Sequence, residues 1–146
     1  MRLLLTLLCL VLPMLAGAVE FDETTRTLPL GRATQVFEDP TGAATIEDVS
    51  SPEGAARFRP LDAGSLNAGY SRSTYWLKVQ LTYRPTNPVA SADWLLELAY
   101  PPMDHADLYL ANDEAAPSLT WQTGDMLPFS SRQIKQNNYL FDLNLN

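Results

Sequence analysis

From Tyr75 to Arg84 every second residue is apolar or aromatic. Tyr75, Leu77, Val79, Leu81 and Tyr83 alternate with Trp76, Lys78, Gln80, Thr82 and Arg84. Side chains return to the same face every two residues only in an extended chain, so this stretch reads as a strand with one buried and one wet or half-wet face. Pro85, Asn87 and Pro88 close it. The same pattern recurs downstream. Trp94, Leu96, Leu98 and Tyr100 alternate with Leu95, Glu97 and Ala99, and Pro101-Pro102 stops that strand. Ala106, Leu108 and Leu110 alternate with Asp107 and Tyr109, and Asn112-Asp113 with Pro117 form the next turn. Leu119, Trp121 and Thr123 make a short strand closed by Gly124-Asp125, and Tyr139, Phe141, Leu143 and Leu145 make the last. No amphipathic helix of three turns interrupts the series. Short alternating strands separated by turn chemistry predict an antiparallel all-β fold, most simply a two-sheet sandwich.

The amino-terminal third is less regular. Thr34 to Glu38 has the composition of an edge strand. Thr45 with Asp48 three residues later spells a capping box, and Ser51-Pro52 leaves room for about one helical turn after it. Phe58 and Leu61 are expected to dock this segment on the sandwich.

Arg2 followed by the apolar run Leu3 to Leu15, with Ala16-Gly17-Ala18 behind it, is the pattern of a secretory signal peptide cleaved after Ala18. An uncleaved anchor is the other reading, but the uncharged run is shorter than the roughly 20 residues a spanning helix needs. The sole cysteine, Cys9, lies inside this leader, so the mature chain holds no thiol for a disulfide, a metal or nucleophilic catalysis. The chain therefore divides into a leader (residues 1–18), a lead-in segment (19–33) and a β-domain (34–146). Its last residues still alternate as a strand, and the expectation is that the domain is incomplete at its carboxyl end.

Ten Lys and Arg against seventeen Asp and Glu give a formal net charge of −7. With no basic run, nucleic acid is excluded as a partner. Catalytic chemistry is equally unsupported, because nucleophilic mechanisms need a nucleophile, a base and an orienting group. His105 is the only histidine. In Asp104-His105-Ala106-Asp107 an extended chain puts only His105 and Asp107 on one face, too few ligands for a metal site. No phosphate-cradling glycine loop occurs, so no cofactor is called for.

Binding has better support. Trp76 and Tyr109 fall on the outward register, beside Lys78, Gln80, Glu97, Asp107 and Asn144. An aromatic face flanked by hydrogen-bonding groups can hold a sugar ring, whose C–H groups stack while its hydroxyls pair. These aromatics have two readings: a ligand face built from Trp76, Lys78, Glu97, Asp107 and Tyr109, or a surface packed under a loop or the amino-terminal segment.

Four blocks resemble a known family. They are Gly69-Tyr70-Ser71-Arg72-Ser73-Thr74-Tyr75-Trp76-Leu77-Lys78, then Glu97 to Leu110 with Pro101-Pro102-Met103-Asp104, then Thr123 to Arg132, then Asn137 to Leu143. In this order they resemble the type 2 extracellular domain of the seven-transmembrane receptors with diverse intracellular signalling modules. The resemblance implies a jelly-roll sandwich of the carbohydrate-binding-module type, placed in the periplasm before membrane helices. It implies a kinase or cyclase output on the same protein, a carbohydrate-type ligand, and partners among its own membrane segments. A protein-docking or homodimerising sandwich without a small ligand is the alternative. The block residues also have physical readings. Gly69 suits positive φ, Pro101-Pro102 an extended exit, Gly124-Asp125 a tight turn. Arg132 is read as a clamp on Asp104, Asp125 or loop carbonyls, or else as a ligand contact.

Overall fold

The computed structural model describes residues 17–61, 63–87, 93–112 and 115–143. Most of the expected leader with Cys9, and the terminal Asn144, Leu145 and Asn146, lie outside the described residues, as do Pro88 and Asp113 of the expected turns. Within them the chain is all-β, with nine strands, two short α-helices and two single 3-10 turns.

The strands form four small sheets. β1 (Val19–Phe21) lies parallel to β5 (Leu81–Tyr83). The strands β3 (Arg59–Pro60) and β4 (Thr74–Lys78) flank β2 (Gln35–Asp39), both antiparallel to it. β6 (Leu95–Leu98) pairs antiparallel with β9 (Tyr139–Asp142), and β7 (Ala106–Asn112) with β8 (Ala115–Thr123). The lead-in segment thus begins as a strand, with the Val19 N–H donating to the Gln80 carbonyl at 2.9 Å.

Three expectations about strands need correction. The ten-residue alternation from Tyr75 is not one strand. It breaks after Lys78, and its two halves, β4 and β5, serve different sheets. Thr34–Glu38 is not an edge: β2 is the middle strand of its sheet and buries both Val36 and Phe37, neighbours that point to opposite faces. Pro117 is not in a turn either, but inside β8. The ribbon register shifts between Leu110 and Asn112, opposite that stretch, and a bulge on a strand with only one partner tolerates a residue without an N–H.

The capping box forms as read. The Thr45 hydroxyl accepts from the Asp48 N–H, and the Asp48 carboxylate accepts from the Thr45 N–H, starting α1 (Ile46–Ser50). Ser51 caps a second turn, α2 (Pro52–Ala55), with Pro at its first position, where a missing N–H costs nothing. Val49 is the residue that α1 buries.

One core gathers Ala106, Tyr139 and Phe141, with Leu96, Leu98, Met103, Leu108 and Trp121 packed around them. A second aromatic contact set joins the β1–β5 sheet to Trp94, just before β6. The Phe21 ring lies 5.3 Å from Tyr83 and 4.7 Å from Trp94. Such ring pairs add roughly 0.5–1.5 kcal/mol each beyond their burial.

Candidate ligand-binding site

Register decides which side chains of the β2–β4 pair share a face. Phe37 stands opposite Trp76 and Gln35 opposite Lys78, whereas Val36 faces Leu77 and Glu38 faces Tyr75. Directly opposed residues project to the same side. One face therefore carries Phe37, Trp76 and Lys78, and the other carries Val36, Leu77, Glu38 and Tyr75.

The expected inward and outward faces of β4 are not cleanly separated: Tyr75 and Trp76 are both half-buried, and Leu77 and Lys78 both exposed. Leu77 is 45 % exposed, while Trp76 is half-buried with its indole nitrogen fully covered. The cause is the segment after β2. The Phe58 ring meets Phe37 edge-on at 5.9 Å, the Arg57 guanidinium lies 3.9 Å over Phe37, and the Lys78 ammonium sits 5.8 Å from Phe58. This segment lays apolar and cationic groups over the face that local alternation marks as wet.

Trp76 and Tyr109 do come together, on β4 and β7 respectively. Their ring centroids are 5.7 Å apart, with the planes tilted by 40°. Trp76 Nε1 is buried and has no hydrogen-bond partner. The Tyr109 hydroxyl is pushed above its usual pKa, first by burial, then by the charges of Asp107 and of Glu47 on α1. Both rings thus present neutral N–H and O–H groups at neutral pH. Asp107, two residues before Tyr109, is exposed and accepts from Gln122 Nε2 at 3.3 Å. Lys78 is exposed at the margin. Glu97 stands elsewhere, on β6, where it accepts from Asn138 at 2.6 Å. Asn144 lies outside the described residues.

The other block residues form a structural hub. The Tyr139 hydroxyl lies 2.8 Å from the Pro101 carbonyl, 3.1 Å from that of Met103 and 3.1 Å from Asp125 Oδ1. Arg132 reaches Asp125 at 3.1 Å and donates to the Gln136 and Asn137 carbonyls, while its guanidinium lies 4.5 Å over the Tyr139 ring. Of the two carboxylates considered for Arg132, it is Asp125 that pairs. Asp104 contributes its backbone, accepting from the Met126 N–H at 3.1 Å. Gly124 has φ of 143°, and a Cβ there would collide with the Asp104 carbonyl oxygen.

A second polar cluster escaped the sequence reading. Glu38 Oε1 accepts from the Ser73 hydroxyl at 2.8 Å and from the Tyr75 hydroxyl at 3.1 Å, and Tyr75 lies 3.1 Å from Ser71 Oγ. Ser71, Ser73 and Tyr75 recur every two residues, the spacing that puts them on one face of an extended chain. That signal was available. Glu38 was not, because it arrives from a distant strand.

Among the described residues no group of three His, Cys, Asp or Glu is placed to hold a metal ion. Nor is any described helix long and apolar enough to cross a membrane. The family model described as 7TMR-DISM extracellular 2 matches residues 31–146 of the chain. No curated protein matches it.

Proposed function

Because the chain belongs to the 7TMR-DISM extracellular 2 family, and so is an extracellular sensing domain of a transmembrane receptor, we propose that it senses a polyhydroxylated, carbohydrate-type ligand in the periplasm. In this reading the leader is cleaved after Ala18, the β-domain is a jelly roll, and a histidine kinase or diguanylate cyclase elsewhere on the receptor supplies the output. The domain itself binds and does not catalyse.

The observation that carries the reading is the Trp76–Tyr109 pair with its uncompensated indole N–H. A buried donor without a partner costs roughly 1–3 kcal/mol, and a ligand hydroxyl that accepts from it recovers that cost. Lys78 and Asp107 flank the pair with one donor and one acceptor group. The segment bearing Phe58 covers the same face, so a ligand that competes with it shifts the domain between two arrangements. The shift is limited by the ligand's differential affinity for the two.

Thermal unfolding against a saccharide panel tests this. A sugar that binds the folded state raises the midpoint as its concentration rises, and Trp76→Ala abolishes that rise. If no sugar moves the midpoint, the carbohydrate reading falls.

A further inference from the structure

We propose that Glu47 and Asp107 make the Trp76–Tyr109 site selective for a cationic amino sugar, a pyranose that bears a free ammonium group. The proposal rests on the carbohydrate reading above and names the class of sugar that this site takes.

The two carboxylates reach the site from different elements. Asp107 and Tyr109 lie two residues apart on β7, so they share one face of that strand. Tyr109 stands opposite Leu119 of β8, and α1, which carries Glu47, packs against β8. The capping box at Thr45 and the buried Val49 fix α1 in place. Both charges are felt at the Tyr109 hydroxyl, which they help burial to hold above its usual pKa.

Neither carboxylate is neutralised by the fold. Among the described residues Glu47 has no ion pair and no side-chain hydrogen bond, and Asp107 takes only the Gln122 amide at 3.3 Å. The nearby cations are set over other rings. The Lys78 ammonium sits 5.8 Å from Phe58, and the Arg57 guanidinium lies 3.9 Å over Phe37. No described Lys or Arg lies over Trp76 or Tyr109.

The site thus combines two ring faces, a buried indole donor without a partner and two uncompensated negative charges. A neutral sugar meets the rings and the donor but leaves both charges unanswered. An amino sugar meets all three. Its C–H face stacks, a hydroxyl accepts from Trp76 Nε1, and its ammonium is drawn to the ring quadrupoles and to the carboxylates. The formal net charge of −7 adds a longer-range attraction of the same sign.

The test is NMR titration of the tryptophan indole N–H signals of the purified protein with glucosamine, N-acetylglucosamine and glucose, in buffer that keeps the free amine protonated. Acetylation removes the charge and keeps the nitrogen. Glucosamine is expected to bind at least about fivefold tighter than the two neutral sugars. Glu47→Gln and Asp107→Asn each lower that ratio about twofold or more, and together they abolish it. Glu53→Gln, the same change of charge on α2, leaves the ratio as in wild type. Raising salt to about 0.5 M narrows it. All three residues are exposed and the replacements match them in shape, so the fold is retained. Equal affinities for the three sugars, or a ratio that falls as far in Glu53→Gln as in Glu47→Gln, overturn the amino-sugar assignment and leave the carbohydrate reading standing. Methylammonium binding as tightly as glucosamine overturns both, because charge alone is then recognised. Indole signals that respond to no sugar also overturn both.

Discussion

Two regions of the molecule use the same side chains in opposite ways. Around β9 and the carboxyl end of β8, the aromatic polar groups are answered. Tyr139, only 1 % exposed, has its hydroxyl among two carbonyls and a carboxylate. Trp121 Nε1 donates to the Ser131 carbonyl at 2.7 Å, and Thr123 and Ser131 share a bond at 3.1 Å. Around the Phe21 and Trp76 ring contacts the reverse holds: Trp76 Nε1 on β4, Tyr83 OH on β5 and Trp94 Nε1, just before β6, are buried without partners. A satisfied network rigidifies, whereas an unsatisfied one carries a standing cost. The first region is finished as structure. The second keeps hydrogen-bonding capacity in reserve, which is what a binding region needs.

The contrast is sharpest at Gly124. Adding a methyl group there combines a backbone that L-residues avoid with a clash against the Asp104 carbonyl. Gly124→Ala is expected to lower stability by about 3 kcal/mol, read from urea midpoints. Gly69→Ala meets open space and costs about 1 kcal/mol, the φ penalty alone. Equal costs would break the distinction between a packed turn and a solvated one. Next comes Arg132→Ala, which strands two loop carbonyls and Asp125. The expected loss is about 2 kcal/mol, and Arg132→Lys recovers only part of it because one ammonium nitrogen cannot stand in for two guanidinium nitrogens, Nη1 on the Gln136 and Asn137 carbonyls and Nη2 on Asp125. Tyr139→Phe follows at about 1.5 kcal/mol, since it leaves those acceptors without their donor.

How far the sequence reveals these regions differs between them. Alternation shows the β class, because period two runs through the sequence of these strands and burial follows it cleanly in β6 and β9. It also puts Trp76 and Tyr109 on one register, and the structure joins them at 5.7 Å. The covering of Phe37 and Lys78 by Arg57 and Phe58 is invisible to alternation, because a local pattern says which residues share a face but not what arrives above it. The two-sided burial of Val36 and Phe37 is hidden likewise, in a stretch that reads as an edge. The Arg132 clamp was foreseen in kind but with two carboxylates open, and only the tertiary turn at Gly124 chooses Asp125. The Glu38 cluster needs a partner thirty-five residues away from Ser73, beyond any periodicity.

The two regions also differ in the pH limb they control. Asp39, in β2, is 4 % exposed and has its carboxylate lowered from 3.8 to about 2, chiefly by the Thr41 hydroxyl and then the Ala44 N–H. A depressed acid stabilises the fold fully above its unfolded pKa, and that contribution fades as pH falls through the folded value. Tyr139 is raised above 10, first by burial, then by its bond to Asp125. Its contribution is whole below 10 and is lost as pH climbs beyond it. Asp39→Asn is expected to flatten stability between pH 4 and 2 and leave the alkaline limb unchanged, with Tyr139→Phe doing the opposite. Unfolding curves collected across both ranges check the exchange.

The smallest expected effect is also the most discriminating. Tyr83→Phe removes one oxygen that is buried and unanswered, beside Phe21 at 5.3 Å. Deleting a polar atom that makes no bond relieves its desolvation cost, so this change is expected to be neutral or stabilising by up to about 1 kcal/mol. The identical chemical change at Tyr139 destabilises. The pair of substitutions thus holds residue type, ring size and lost atom constant and varies only whether the hydroxyl is satisfied. A gain at Tyr83 with a loss at Tyr139, both measured by urea unfolding, upholds the division into a finished and an unfinished region. A loss at Tyr83 equal to that at Tyr139 means that an ordered water or a ligand completes the bond in solution. The reserve of unpaired donors would then shrink to Trp76 and Trp94, which places the whole weight of the Trp76 site on a single N–H.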